Sequence, residues 1–263
     1  MYALENKILN STPDTAWYNF GFWHNATHTY EQACENLADK LAEAVQMQTA
    51  RSVFDIGAGC GDQQLLWQRK YKLHHIHAIN TSTAQNDFAQ TRIAAAGLSD
   101  TITFELASLD SHNARETFDC VVSLDAAYHI PKPLLYTASA RLTDANGRLA
   151  FTDLALDVGA RNWFSRIILR LLCAGSGIPF SQLCESAELQ KSGAAYSWTN
   201  SQFADITNEV FGGFAQFMRR SRRDLFRRHG LASLRFIMAG AAIAWMLRRR
   251  LLRYVLLVFE KRV

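Results

Sequence analysis

The sequence predicts an α/β protein, an open and mainly parallel β-sheet with helices on both faces. Three observations carry this. Short runs rich in Val, Ile and Phe alternate with helix-period segments between residues 52 and 156. The first run, SVFDI at Ser52–Ile56, passes directly into a glycine-rich turn, Gly57–Asp62. The chain has 263 residues, 49% hydrophobic and 20% charged, enough to bury both faces of a sheet.

The elements follow in order. YEQACENLADKLAEAVQMQ at residues 30–48 sets Ala33, Leu37, Leu41 and Val45 at helical spacing, with Thr29 as the expected cap. After the first strand and its glycines, Asp62–Lys70 reads as a helix and HIHAI as a second strand. Thr83–Ala96 is a helix closed by Gly97, TITFELA a third strand and FDCVVSL a fourth. Pro131 opens another helix, and Asn146-Gly147 turns into a fifth strand, RLAFTDLAL. The rhythm then breaks. Trp163, Phe164, Ile167, Ile168, Leu171 and Leu172 form one helical stripe that stops at Ser176–Pro179. A strand within YSWTNSQFADI, helices at 207–228 and 232–250, and a last strand in LLRYVLLVFEK complete the reading. Parallel strands joined through helices imply right-handed crossovers.

Composition excludes several classes. No repeat of 20–50 residues is present, and the first twelve residues lack the charged start and apolar core of a secretory signal. Five scattered cysteines (34, 60, 120, 173 and 184) show no metal-binding spacing, so reduced thiols in a cytoplasmic protein are expected. The net charge of +4 conceals an asymmetry: residues 1–214 carry 15 basic against 22 acidic side chains, residues 215–263 carry 13 against 2.

Glycines between a strand end and a helix start suit the close approach of a ligand to backbone. A dinucleotide site calls for GxGxxG and an acidic residue about 20 positions on. Here the third glycine arrives one place early, Asp62 would repel a pyrophosphate, and the second strand ends in Ala78-Ile79-Asn80 without an acid. A dinucleotide is disfavoured.

VFDIGAGCGD instead resembles the first motif of class I S-adenosylmethionine-dependent methyltransferases. AINTSTAQ (78–85), FELASLD (104–110), FDCVVSLDAAYHI (118–130) and the aromatic lead-in WYNFGFWHNATHTYEQACENL continue the resemblance. It spans roughly residues 15–155 plus the last strand and points to the small-molecule branch, similar to sterol, tocopherol, sugar O- and phosphoethanolamine methyltransferases and cyclopropane fatty acid synthases. The resemblance implies a Rossmann-like sheet of seven strands, the last antiparallel. It implies an N-terminal helical lid (1–50), a cofactor-binding core (51–156), a helical insertion capping the substrate (157–200) and a C-terminal part with basic helices and the final strand (201–263).

By the same resemblance, Asp55 and the backbone of Gly57, Ala58 and Gly59, with Gly61 following, would hold the amino-acid end of S-adenosyl-L-methionine. Ser82 and Gln85 would bond the ribose, assisted by Asn80. Ser108 and Leu109 would line the adenine; the family usually has Asp where Ser108 stands, and Asp110 is the substitute. Ser123 and Asp125 would flank the sulfonium. The product would be S-adenosyl-L-homocysteine.

Methyl transfer from a sulfonium is an in-line displacement that mainly needs alignment and exclusion of water, plus a base where the acceptor carries a proton. His129 is the expected base or acceptor-orienting group, with Tyr18 or Tyr128 as its partner. Tyr18, Phe20 and Trp23 suit either a lid over the cation or a hydrophobic staple for the first helix. The acceptor is expected to be small and lipophilic or aromatic, methylated on O, N or C. A protein that holds the cofactor as a cyclase or scaffold is the rival.

HHIH at residues 74–77 is not expected to bind a metal: only His75 and His77 share a strand face, no acidic residue adjoins them, and a structural zinc site needs four ligands. The run FIMAGAAIAWML (236–247) is too short to cross a bilayer. Two readings of this tail are open: a core helix with solvated arginines, or a basic surface that docks peripherally on an anionic membrane. Nucleic acid is disfavoured, since no RNA-binding module or stacking pattern accompanies the arginines.

Overall fold

The computed structural model describes residues 8–12, 14–112 and 116–262. The start of the expected lid, residues 1–7, lies outside them.

Helix α1 (Tyr30–Ala44) opens on a capping box: Thr29 accepts from the Gln32 N–H, and the Gln32 side chain returns to the Thr29 backbone. Its stripe Ala33, Leu37 and Leu41 is fully buried. There follow β1 (Ser52–Ile56), α2 (Asp62–Tyr71), β2 (His75–Asn80), α3 (Thr83–Ala95), β3 (Ile102–Leu106), β4 (Phe118–Ser123), α4 (Lys132–Leu142) and β5 (Thr143–Leu156). Helices α5 (Trp163–Gly175) and α6 (Ser186–Ser192), β6 (Trp198–Asp205), α7 (Gly213–His229), α8 (Leu234–Arg248) and β7 (Leu252–Lys261) complete the chain.

One seven-stranded sheet runs β3-β2-β1-β4-β5-β7-β6. Strands β1 to β5 pair in parallel, and β7 pairs antiparallel with both β5 and β6. Strand order reverses between β1 and β4, so a crevice opens at their C-terminal ends. Alternation sends neighbouring side chains to separate cores: Val53, Ile76 and Val122 pack with α1, whereas Phe54, Ile79 and Val121 pack with α4.

Two local readings change. Strand β5 begins at Thr143, not after Gly147: Thr143 pairs with Phe118 and Arg148 with Cys120, so Asn146-Gly147 forms a bulge within the strand. A side chain on Gly147 would stand 2.8 Å from the Asp119 carbonyl, which is why glycine sits there. The helix read from Thr207 starts as a π-helical turn, Asn208–Gly212. Beside it, bare Gly213 leaves room for the Trp23 ring.

By length and composition the helical run Asn208–Arg248 could cross a membrane. The run turns at Gly230 (φ +54), Gly240 of α8 seats against Met218 of α7, and 17% of its most apolar window is buried. The result is a hairpin packed beside the sheet.

Candidate active site

The crevice opens into a cleft of about 580 Å³, within the range of small-molecule sites. Its floor is the β1–α2 turn. Gly57 (φ +79) packs against the turn after β4, where a Cβ would stand 2.4 Å from that of Ala126. Gly59 (φ +62) has no atom within 4 Å of its Cβ position and faces open space. One glycine closes the fold, and the other leaves backbone bare towards the cleft. Asn80 braces the turn, its amide donating to Gly59 O (3.1 Å) and to Gln85 Oε1 (2.9 Å).

The charge of the cleft is one-sided. Among the described residues lining it, Asp62, Asp110 and Asp125 carry carboxylates, and there is no lysine or arginine. Aromatic rings of Trp17, Tyr18, Phe20, Tyr30 and Tyr128 share the wall. Asp62 heads α2 and accepts from the Ala16 N–H, while Arg92, behind the wall, pairs with it at 2.9 Å. Burial pushes its carboxyl up despite that partner.

Asp125 ties three elements at the end of β4. Its carboxylate accepts from the Phe20 N–H (2.9 Å), the Tyr254 hydroxyl (2.8 Å) and the Tyr128 hydroxyl (3.2 Å). Its own N–H donates to Thr152 Oγ1, and its backbone is left-handed (φ +55), a conformation Asp tolerates better than most residues. Burial raises its carboxyl to about 6, against the pull of those hydrogen bonds.

His129 lines the cleft beside Tyr128, their ring centroids 4.6 Å apart. Its Nδ1 lies 2.9 Å from Gly177 O, and a carbonyl can only accept, so the proton sits on Nδ1 and the lone pair on Nε2. Burial, reinforced by Lys132 and opposed by the Gly177 bond, lowers its pKa below the ordinary value. At neutral pH the ring is uncharged, with its one proton on Nδ1.

Most of the expected site residues meet here: Gly57, Ala58, Gly59, Asn80, Gln85, Ser108, Leu109, Asp125, Tyr18, Phe20, Tyr128 and His129 all line the cleft. Tyr18 is 47% exposed at the rim. Five are placed elsewhere. Asp55 is fully buried behind Gln63; it accepts from Gln63 and Gln64 amides, and burial lifts its carboxyl to about 7. Ser82 caps α3, accepting from the Gln85 N–H. Ser123 donates to Ile56 O (3.0 Å) inside the sheet. Trp23 stacks on Phe217 at 4.8 Å, stapling the lead-in to α7. Gly61 is the N-cap of α2, facing Ala89.

The roof of the cleft carries no sequence motif. Phe214 of α7 and Phe236 and Ala239 of α8 close the cleft, yet in sequence they are ordinary apolar helix positions. Residues 157–200 meet the cleft only at its rim, through Gly177 O.

Comparison with known proteins fits this geometry. Over 155 residues the chain is 29% identical to erythromycin 3''-O-methyltransferase of Saccharopolyspora erythraea, covering 58% of this chain and 51% of the relative. Over 138 residues it is 28% identical to 27-O-demethylrifamycin SV methyltransferase of Amycolatopsis mediterranei, covering 52% and 50%. The chain thus spans about half the length of the curated relatives it matches. Among solved structures, the cyclopropane synthase MmaA2 from Mycobacterium tuberculosis superposes with a TM-score of 0.81 at 13% identity, covering 99% of this chain and 95% of that one. The [4+2]-cyclase SpnF superposes at 0.73 with 20% identity, covering 99% and 92%. Residues 2–152, more than half of the chain, match the mycolic acid cyclopropane synthetase family model, and the chain belongs to that family.

Proposed function

We propose that the chain is an S-adenosyl-L-methionine-dependent methyltransferase acting on a small lipophilic or aromatic acceptor. The observation that carries the reading is the character of the cleft. Bare backbone at Gly59 faces a cavity with several aromatic faces, no basic lining residue and three carboxylates, one of which, Asp62, is balanced by Arg92 behind the wall. Such a wall favours a cationic ligand and disfavours a phosphorylated one. The methyltransferases of erythromycin and 27-O-demethylrifamycin SV among its relatives support it.

When bound, the cofactor supplies a methyl group on a positively charged sulfur. The chain's residues do the rest. The Gly57–Gly59 backbone admits the amino-acid portion; Gln85 and the Ser108–Asp110 turn offer polar edges to the nucleoside. Phe214, Phe236 and Ala239 keep water from the acceptor side. His129 accepts the acceptor's proton at Nε2, and the Gly177 carbonyl stabilises the resulting imidazolium through Nδ1–H.

Calorimetric titration with S-adenosyl-L-methionine and S-adenosyl-L-homocysteine is the test, with dissociation constants expected in about the micromolar range. No binding of either would reject the reading. Binding with no acceptor ever methylated would favour the cyclase or scaffold alternative.

A second reading concerns where the acceptor comes from. Trp163 (71% exposed) and Leu171 (68% exposed) project from α5 with Phe164 and Ile167, and Arg166 and Arg170 stand over Phe180 beside them. An apolar face edged by arginines suits peripheral docking of a cytoplasmic protein on an anionic membrane carrying a lipophilic acceptor. Flotation with vesicles containing phosphatidylserine should retain the wild type and release a W163S/L171S double variant. Equal flotation of both would dismiss it.

A further inference from the structure

We infer that His77, Glu105 and His112 form a binding site for a first-row divalent transition-metal ion of the zinc class, separate from the cleft. No acidic residue adjoins the histidine run along the chain; the sheet supplies one. Parallel pairing sets His77 beside Thr103, so the side chains of His75, His77, Thr103 and Glu105 share a face. After β3 the chain turns at Ser108, whose carbonyl accepts from the His112 N–H at 3.1 Å, and His112 returns over that same face.

Three donor atoms converge there. Glu105 Oε2 lies 3.2 Å from His77 Nε2 and 2.8 Å from His112 Nδ1, and the ligand atoms of all three residues fall within 4.8 Å of one another. Two imidazoles and a carboxylate with a further position open to water make an open zinc-type site. Glu105 is partly exposed, so water reaches it. Imidazole selects zinc, cobalt, nickel or copper over magnesium and calcium.

The surroundings orient the ligands. Thr103 Oγ1 lies 3.0 Å from His77 Nδ1 and can accept from Nδ1–H, which turns the Nε2 lone pair towards the site. Phe54 stacks on His77 at 5.3 Å and packs on His112 at 4.9 Å, limiting rotation of both rings. An ion here would pin the turn after β3 to β2 and β3. The alternative is that the three side chains bond only to one another.

The test uses tag-free full-length protein stripped of metal with a chelator. Titration with Zn²⁺ should give one equivalent bound per chain, and Co²⁺ should show visible d–d absorption. H77A, H112A and E105Q should each weaken Zn²⁺ binding by about tenfold or more; H74A, an exposed residue outside the cluster, should not. Because His112 is buried and its variant could misfold, the partly exposed E105Q with an unchanged circular dichroism spectrum serves as the deciding variant. Failure of wild type to bind, unchanged affinity in H77A and E105Q, or an equal loss in H74A would each overturn the site.

Discussion

The floor and the roof of the cleft are built by opposite means. The floor is a single turn, Gly57–Gly61, braced by Asn80 about 20 residues on. The roof joins the lead-in around Phe20 to Phe214 and Phe236, about 200 residues away. Phe20 meets Phe211 and Phe214 edge to face, each at 5.3 Å, and its N–H is held by Asp125. A floor that acts through bare backbone must announce itself as glycine. A roof that acts through apolar side chains uses the same residues as any core, so nothing local marks it. Substitutions should divide accordingly: floor changes should alter cofactor binding, and roof and wall changes should alter acceptor turnover.

The largest expected effect is at the floor. Gly59→Val places a β-branched residue at φ +62 and a side chain in the open cradle. Backbone strain alone costs roughly 1–3 kcal/mol, and steric exclusion adds to it. Cofactor affinity should fall by about a hundredfold or more in calorimetry, while the strain lowers the melting temperature by roughly 2–12 °C and leaves the protein folded. Unchanged affinity would mean that the ligand does not lie on this turn.

Next is the wall. His129→Ala should lower kcat by roughly 10²–10⁴-fold for an acceptor that loses a proton, with cofactor affinity unchanged. Since the His129 pKa lies below the ordinary histidine value, the wild-type rate should be flat at neutral pH and fall only on acidification. Loss of cofactor binding in this variant would erase the distinction between wall and floor.

The roof follows. Phe236→Ala should raise the acceptor KM about tenfold, the scale of one lost apolar contact in a pocket, and leave cofactor affinity near wild type. Equal effects on both ligands would show that roof and floor act as one unit.

Asp55 sharpens the comparison through stability. Its carboxyl is raised from 3.8 to about 7 by burial. Folding therefore favours the protonated form; that stabilisation is complete below pH 3.8 and is lost as pH rises through about 7. Asp125, raised to about 6, contributes in the same direction over a narrower window. Asp55→Asn should flatten the decline in denaturation free energy from pH 4 to 8, by on the order of 2–4 kcal/mol. An identical pH profile in wild type and variant would place the titration elsewhere.

Smallest is Ser123→Ala. It removes the bond to Ile56 O and should cost about 1 kcal/mol of stability without touching either ligand's affinity. A large loss of cofactor binding would return Ser123 to the site.

Particular residues explain how much could be read beforehand. The motif-borne expectations for Gly57, Gly59, Gln85 and Leu109 put them at the cleft because strand ends and helix starts fix backbone position by topology. Asp55 and Ser82 sit in equally suggestive places, but a polar side chain has local partners competing for it. Gln63 and Gln64 claim one, and the start of α3 claims the other. Glu105 and His112 reached His77 only through strand register and a turn.

The α/β rhythm, the glycine turn, the basic C-terminal end and the family motifs are legible in the linear chain. Periodicity, backbone freedom and charge are properties of short stretches of chain. Folding sets which carboxylates face the cleft, brings α7 and α8 over it, and lets the Gly177 carbonyl choose the tautomer of His129. Those depend on distances between residues far apart in the chain, and such distances exist only once two cores have packed against both faces of the sheet.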